Sequence, residues 1–231
     1  MLKTRFTEDK RVEVGIDEAG RGCFWGPIMA GAVIWPEEAE WTDEHRATAA
    51  CIKDSKKITP KRRAIIAEEI KRLAVDCAVG SVSAAEIDEH GMTWANTEAF
   101  RRAADGLFCQ PDRLIVDGTL PLKYKDKEVQ TIIDGDAKYI PIAAASIIAK
   151  EAHDAWVKKY IADADTASAL NEKYDLLSCK GYGTARHRAG IQTHGLHTEH
   201  RRSFIHPEGS RPKRVKTTQG QCQIIDDVKG I

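Results

Sequence analysis

The sequence predicts an α/β fold, one central sheet with helices packed against it. Three observations carry that expectation. Short runs with apolar residues at period two, the mark of a strand with one buried face, alternate with longer segments of helical spacing. Glycine, proline and polar clusters separate the two kinds of segment. Three of the strand-like runs lead into carboxylates beside glycine, and in open α/β sheets functional sites gather where strand ends meet.

Taken in order, Val12, Val14 and Ile16 alternate with polar or small residues and predict a strand over 12–17. A glycine turn and Gly26-Pro27 lead to a second strand over 28–35. After the polar loop Asp54-Ser55-Lys56-Lys57, Thr59-Pro60 starts a helix with proline at its first position, and Ile65, Ile66, Ile70 and Leu73 recur at helical spacing. A third strand is predicted over 77–82, then helices over 84–90 and 93–107 with Gly91 breaking the pattern between them. Leu114-Ile115-Val116 marks a strand over 113–117, and another covers 129–133, running into Asp134-Gly135-Asp136. The alanine-rich stretch from 142 to about 160 predicts a long helix. Beyond it the pattern is less regular, with a helical stretch over 184–193 and a polar, basic tail after Phe204 that is expected to be mobile.

The chain has 231 residues, room for one full core and a small accessory lobe. Its 35 Lys and Arg balance 35 Asp and Glu, but the charge is uneven: residues 180–216 hold nine Lys or Arg against two acids, and five of the eight histidines. That asymmetry suits a polyanion held by one end of the molecule. The six cysteines form no C-x-x-C pair and are expected to be reduced. The N-terminal residues show no apolar stretch of signal-peptide type, and the longest apolar run, 141–149, stops at Lys150, too short to cross a bilayer. A cytoplasmic protein without membrane contact is expected.

Asp17 and Glu18 end the first strand, and Asp117 and Asp136 follow two others, so the four are plausible neighbours. Gathered carboxylates repel one another unless a cation neutralises them. Oxygen donors with no Cys or His select Mg²⁺ or Mn²⁺ over Zn²⁺, and two such ions about 4 Å apart serve in-line displacement at phosphorus. Because neighbours in a strand point to opposite faces, the chain is expected to leave the strand at Glu18, as Ala19-Gly20 permits. For each acid taken alone, a turn or cap role is the ordinary alternative.

Six ordered segments carry a resemblance: GIDEAGRG at 15–22 with Gly26-Pro27, DSKKIT at 54–59, IVDG at 115–118, GDAKYIPIAAASIIAKEAHD at 135–154, GYGTARH at 181–187 and HRRSF at 200–204. Together they span nearly the whole chain except its tail. The chain resembles ribonuclease HII, the type 2 ribonuclease H family. The resemblance implies a ribonuclease H-like central mixed sheet flanked by helices, with a smaller C-terminal helical region. The expected division is a catalytic core over 1–160, a helical substrate-binding region over 161–206 and a basic tail over 207–231. It also implies hydrolysis of the RNA strand of RNA/DNA hybrids and nicking 5′ of single ribonucleotides in duplex DNA, leaving 3′-hydroxyl and 5′-phosphate ends.

By motif position, Asp17, Glu18, Asp117 and Asp136 match the family's metal-binding acids, with Asp134 a decoy whose ordinary role is loop capping. The Gly20-Arg21-Gly22 turn matches the segment that reads a ribose 2′-hydroxyl, the group that alone separates RNA from DNA at one sugar. Tyr182 matches the tyrosine that stacks on the sugar beside the scissile phosphate. Ser55, Lys56, Ser146 and Lys150 match positions near the nucleic-acid backbone, and Arg201 and Arg202 are phosphate or packing partners. Two departures stand out: Cys23-Phe24-Trp25 replaces the usual proline and smaller residues, either packing beneath the strand or altering the notch, and Thr119 stands where asparagine is common. No Q-x-x-aliphatic-x-x-aromatic-aromatic peptide for a sliding clamp is present, and a monomer with no obligate protein partner is expected. The competing readings are a nucleic-acid-binding protein without catalysis and another nuclease of the same fold. A zinc site on His194, His197 and His200 is disfavoured by Gly195 and the lack of a cysteine.

Overall fold

Apolar alternation along the first strand builds the centre of the molecule. In the computed structural model, which describes residues 2–53, 55–163 and 167–205, this strand, β1 (Glu13–Ala19), lies in the middle of five. The other four are β2 (Ile28–Ile34), β3 (Asp76–Val82), β4 (Arg113–Asp117) and β5 (Glu128–Ile132), in the order β3-β2-β1-β4-β5. β1 pairs antiparallel with β2 and parallel with β4, β2 pairs antiparallel with β3, and β4 pairs parallel with β5. The sheet is therefore mixed, as the resemblance implied.

Helices cover both faces. α1 (Asp43–Cys51), which the sequence reading missed, and α2 (Pro60–Leu73) lie on one side, with Pro60 at the first helical position as expected. α3 (Ala84–His90) and α4 (Met92–Asp105) lie on the other, joined at Gly91. α5 (Ile140–Asp163) packs on the α2 side. The C-terminal region adds α6 (Ala167–Tyr174), α7 (Leu176–Cys179) and α8 (Ala185–His194). The core boundary expected at residue 160 falls inside α5, which runs unbroken from the sheet to α6. The tail over 207–231 lies outside the described residues.

Alternation divides the core. Val14 and Ile16 of β1, with Ile28, Ala30 and Ala32 of β2, meet Ile87, Ala95, Ala99, Phe100 and Ala103 on the α3–α4 face. Val33 meets Ile66, Ile70, Ala143, Ala144 and Ile147 on the α2–α5 face. On that face Gly15 and Gly31 let the backbones of the strands and α5 come into direct contact. A Cβ on Gly15 would lie 2.2 Å from the Pro141 carbonyl carbon, and one on Gly31 would lie 2.3 Å from the Ala145 oxygen. This close seating explains why the first half of α5 is buried all round and shows no amphipathic period.

The expectation that the chain leaves the strand at Glu18 is corrected. β1 continues to Ala19, with Glu18 opposite Ala30 and Ala19 opposite Met29. The turn begins only at Gly20, whose φ of +82° is open to glycine at little cost. Asp17 and Glu18 therefore keep strand geometry and point to opposite faces.

Replacing Gly31 by alanine is expected to lower the unfolding free energy by roughly 1–3 kcal/mol, the usual cost of overpacking. Urea denaturation checks this, and an unchanged midpoint would contradict the backbone contact between β2 and α5.

Candidate active site

Parallel pairing of β1 with β4 brings their carboxyl ends to the same edge of the sheet, and with them Asp17, Glu18 and Asp117. Gly135 links the fourth acid to this edge. Its N–H donates to Asp117 Oδ1 at 2.6 Å, so the single-turn helix Gly135–Ala137, which carries Asp136, starts against the Asp117 side chain. A Cβ at Gly135 would meet Ile142 Cδ1 at 2.7 Å and Asp117 Oδ1 at 3.3 Å, so only glycine permits the approach. Asp134 adopts φ +52° and ψ +43° and is exposed. It caps the turn with no side-chain bond and points no carboxylate inward.

Asp17 is only 6% exposed. Its Oδ1 accepts the Glu18 N–H at 2.7 Å. Burial first, then the charges of Glu18 and Asp117, raise its pKa well above the ordinary carboxylate value, against a lowering bond from Ser146 of α5. Glu18 is also raised, first by burial and in part by Asp117, while Arg21 and the Asn96 side chain lower it. Arg21 Nη1 stands 3.7 Å from Glu18 Oε1. Two acids held above their normal range, first by burial and then by neighbouring carboxylates, make a site that favours a cation.

Asp17 and Asp117 act on each other, as do Glu18 and Asp117. Among the described residues, however, no three His, Cys, Asp or Glu side chains are drawn close enough to hold an ion as they stand. The donor chemistry nonetheless fits a hard divalent cation, since every acidic side chain here presents oxygen and no thiolate or imidazole intrudes.

Ser55 and Ser146, expected near the nucleic-acid backbone, are both buried and bonded to each other at 3.0 Å between hydroxyl oxygens. They brace Asp17 from the α5 side. For Lys56, only its place in the turn Ser55–Lys57 is described. Lys150 donates to Asp154 Oδ1 at 2.6 Å, and its Nζ lies 5.6 Å from the centre of the Tyr182 ring. Burial works to raise the Asp154 pKa, but hydrogen bonds from His153 and Lys150 prevail and take it down to about 2.

The Gly20–Gly22 turn sits on a layer of buried side chains. A Cβ on Gly20 would strike the His153 ring at 2.5 Å, and one on Gly22 would lie 3.9 Å from the Tyr182 ring. Tyr182, 39% exposed, thus stands beside the turn with its ring partly open to solvent. Cys23 and Trp25 settle the question raised by the sequence, because both are fully buried. Trp25 packs on Trp156 and Tyr160 within a third apolar cluster under the C-terminal helices. Burial pushes the Cys23 thiol up to about 12, so it stays protonated.

Of the two options for Arg201, the structure supports packing. The side chain is 0% exposed, with Nε donating to Gly26 O at 2.8 Å and Nη1 to Arg21 O at 3.0 Å. It therefore ties both ends of the segment from Arg21 to Gly26. Arg202 is exposed, and its backbone N–H donates to Asp88 at 2.8 Å.

A chain of imidazoles fixes Tyr182 from behind. His197 N donates to His200 Nδ1 at 2.7 Å, which leaves His200 Nε2 as the donor to His187 Nε2 at 3.0 Å. His187 Nδ1 then donates to the Tyr182 carbonyl at 3.0 Å. This direction requires both rings neutral, and burial accordingly depresses His187 and takes His200 down to about 4.

Sequence reasoning missed Asn96, His153 and the pairing of His187 with His200. Only Asn96 left a signal, as an amide in the small and apolar stripe of α4.

A mixed sheet of this order with buried acids on its parallel strand ends defines a ribonuclease H-like nuclease fold. The Ribonuclease HII family model matches residues 14–206. The ribonuclease HII of Trichodesmium erythraeum is 39% identical over 197 residues, covering 84% of this chain and 86% of that one. The ribonuclease H2 of Pyrococcus horikoshii OT3 superposes with a TM-score of 0.65 at 29% identity, over 83% of this chain and 92% of that one. A ribonuclease HII from Archaeoglobus fulgidus, solved in complex with PCNA, gives 0.59 at 26% identity, over 85% and 96%. The chain belongs to the ribonuclease HII family and is a ribonuclease H, an endonuclease that hydrolyses phosphodiesters. The family is dependent on divalent metal.

Below about pH 6.5 an unfolded imidazole takes up a proton that folded His200 refuses until about pH 4. Stability is thus lost as pH falls through this window, by about 3 kcal/mol for this one group at 1.36 kcal/mol per unit. The difference in denaturation free energy between the wild type and His200→Gln is expected to shrink as pH drops from 7 to 4. A difference independent of pH would contradict the neutral pair.

Proposed function

We propose that this chain cuts the RNA strand of RNA/DNA hybrids and nicks on the 5′ side of single ribonucleotides in duplex DNA, using two divalent ions and leaving 3′-hydroxyl and 5′-phosphate ends. The observation that carries the reading is the placement of Asp17, Glu18 and Asp117 along the one β1–β4 edge beside a glycine turn that faces Tyr182. Acids alone would suit many nucleases. A backbone notch next to an aromatic ring adds a means of testing the sugar.

Asp17, Glu18, Asp117 and Asp136 are the residues that would hold Mg²⁺ or Mn²⁺. Such ions, when bound, activate water and stabilise the leaving oxygen in phosphodiester hydrolysis. The protein's own groups do the rest. The Gly20-Arg21-Gly22 backbone offers donors and acceptors to a ribose 2′-hydroxyl, and a deoxyribose leaves them unpaired. Tyr182 gives the neighbouring sugar a flat apolar surface, held in place by Lys150 and by the His187 bond to its carbonyl. Ser55 and Ser146 keep Asp17 aimed, and Arg201 keeps the turn closed. Lys56 and Arg202 are assigned to flanking phosphates.

In the same reading, residues 1–160 form the catalytic core, 161–206 a substrate-binding region and 207–231 a basic tail that adds nonspecific affinity. Nine Lys or Arg against two acids over 180–216 support phosphate binding by this end of the chain. The protein acts as a monomer in the cytoplasm, and the five described cysteines are free thiols, in keeping with a reducing compartment. The Archaeoglobus relative's PCNA complex makes a sliding clamp the protein partner to test, although this sequence has no clamp peptide of the usual form.

A duplex carrying one ribonucleotide, assayed with and without Mg²⁺, tests the proposal. Cleavage 5′ of the ribonucleotide only with metal is expected, with an all-DNA duplex left intact. Asp17→Asn and Asp136→Asn should each reduce cleavage by more than about 100-fold, beyond what outer partners of a metal site usually cost, with substrate affinity largely kept. Cleavage of all-DNA duplex, or full activity in either variant, would overturn it.

A further inference from the structure

Glu18 points to the α3–α4 side of the sheet, and α4 places one polar side chain there. Val14 and Ile16 share their core cluster with Ala95 and Ala99, so strand alternation carries Glu18 onto the same face, above Asn96. Asn96 is 0% exposed. Both of its polar atoms, Nδ2 and Oδ1, are buried without a hydrogen-bond partner among the described residues. A buried amide with neither atom satisfied is costly and rare. The surrounding stripe of Ala95, Ala99, Phe100 and Ala103 would accept an apolar residue at that position.

The charged group that Asn96 acts on is Glu18. Its carboxyl lies within hydrogen-bonding influence of the Asn96 amide, although no bond of ordinary geometry is closed. On its outer side Glu18 has the half-exposed Arg21 at 3.7 Å. Asp17, by contrast, has the Ser55–Ser146 pair behind it.

We propose that Asn96 is the positioning residue for Glu18, a role matching that of Ser146 for Asp17 on the other face of the sheet. With a divalent ion at the edge, Nδ2 would close its bond to one Glu18 oxygen and so fix which lone pairs remain for the ion. Oδ1, which no donor among the described residues reaches, would accept from a water brought in with that ion, since Mg²⁺ sheds its waters reluctantly. The inference rests on the reading that the four acids bind divalent ions.

Mn²⁺ alone, titrated calorimetrically into the full chain without nucleic acid, tests it, together with thermal melting in EDTA. Asn96→Leu and Asn96→Ala are the variants, and Asp17→Asn is the control. Asn96→Leu is expected to melt at or above the wild-type temperature, because the orphaned amide is gone, yet to bind Mn²⁺ about 10-fold or more weakly. Asn96→Ala should show the same weakening. Wild-type Mn²⁺ affinity in both Asn96 variants overturns the proposal, and lower melting with unchanged affinity makes Asn96 a packing residue only. Should Asp17→Asn bind Mn²⁺ as the wild type does, the metal reading itself falls and this inference with it.

Discussion

Two adjacent carboxylates on a regular strand leave it on opposite faces, and the site is built around that constraint. Asp17 turns toward α5 and Glu18 toward α4, so neither helix layer alone can support the pair. Ser146, bonded to Ser55, lies behind Asp17, and Asn96 lies behind Glu18. The parallel neighbour β4 then adds Asp117 at the same edge, and Gly135 anchors the turn that carries Asp136. Burial, then repulsion from neighbouring carboxylates, raises both first-strand acids, a cost that a bound cation would offset.

The glycine turn depends on residues distant in sequence. Gly26 N–H donates to Glu199 O at 2.9 Å and Arg201 N–H to Phe24 O at 2.8 Å, which lays the C-terminal segment alongside residues 24–26. From there the Arg201 side chain reaches back to the Arg21 carbonyl. On the other side, Gly181 O accepts Phe24 N–H at 2.8 Å. The notch and Tyr182 are thus set by the C-terminal region, while the acids are set by the sheet. The glycine turn and the acids therefore belong to two packing units joined through α5.

Much of this was legible in the residues. Period-two alternation located the central strands, proline placed the start of α2, and alanine content located α5, although its ends lie at 140 and 163. The acids at strand ends were readable because a carboxylate beside glycine breaks an apolar run. The exit from β1 was misjudged because alternation was treated as an obstacle that a bend must remove. The sheet resolves it by supplying partners on both faces. Arg201 gave no sign of its burial, since a guanidinium bonded to backbone carbonyls looks in sequence like any surface arginine. Ser55 and Ser146 read as backbone contacts because a hydroxyl near a predicted phosphate path does not reveal which side of the acid it occupies.

The central claim is that the carboxyl ends of β1 and β4 gather oxygen donors for divalent ions. Anomalous diffraction from crystals soaked in Mn²⁺ tests it most directly. Manganese bound by Asp17 and Asp117, with Glu18 and Asp136 on the same centre, is the expected result. Manganese bound elsewhere, or no manganese at this edge at saturating concentration, would contradict it.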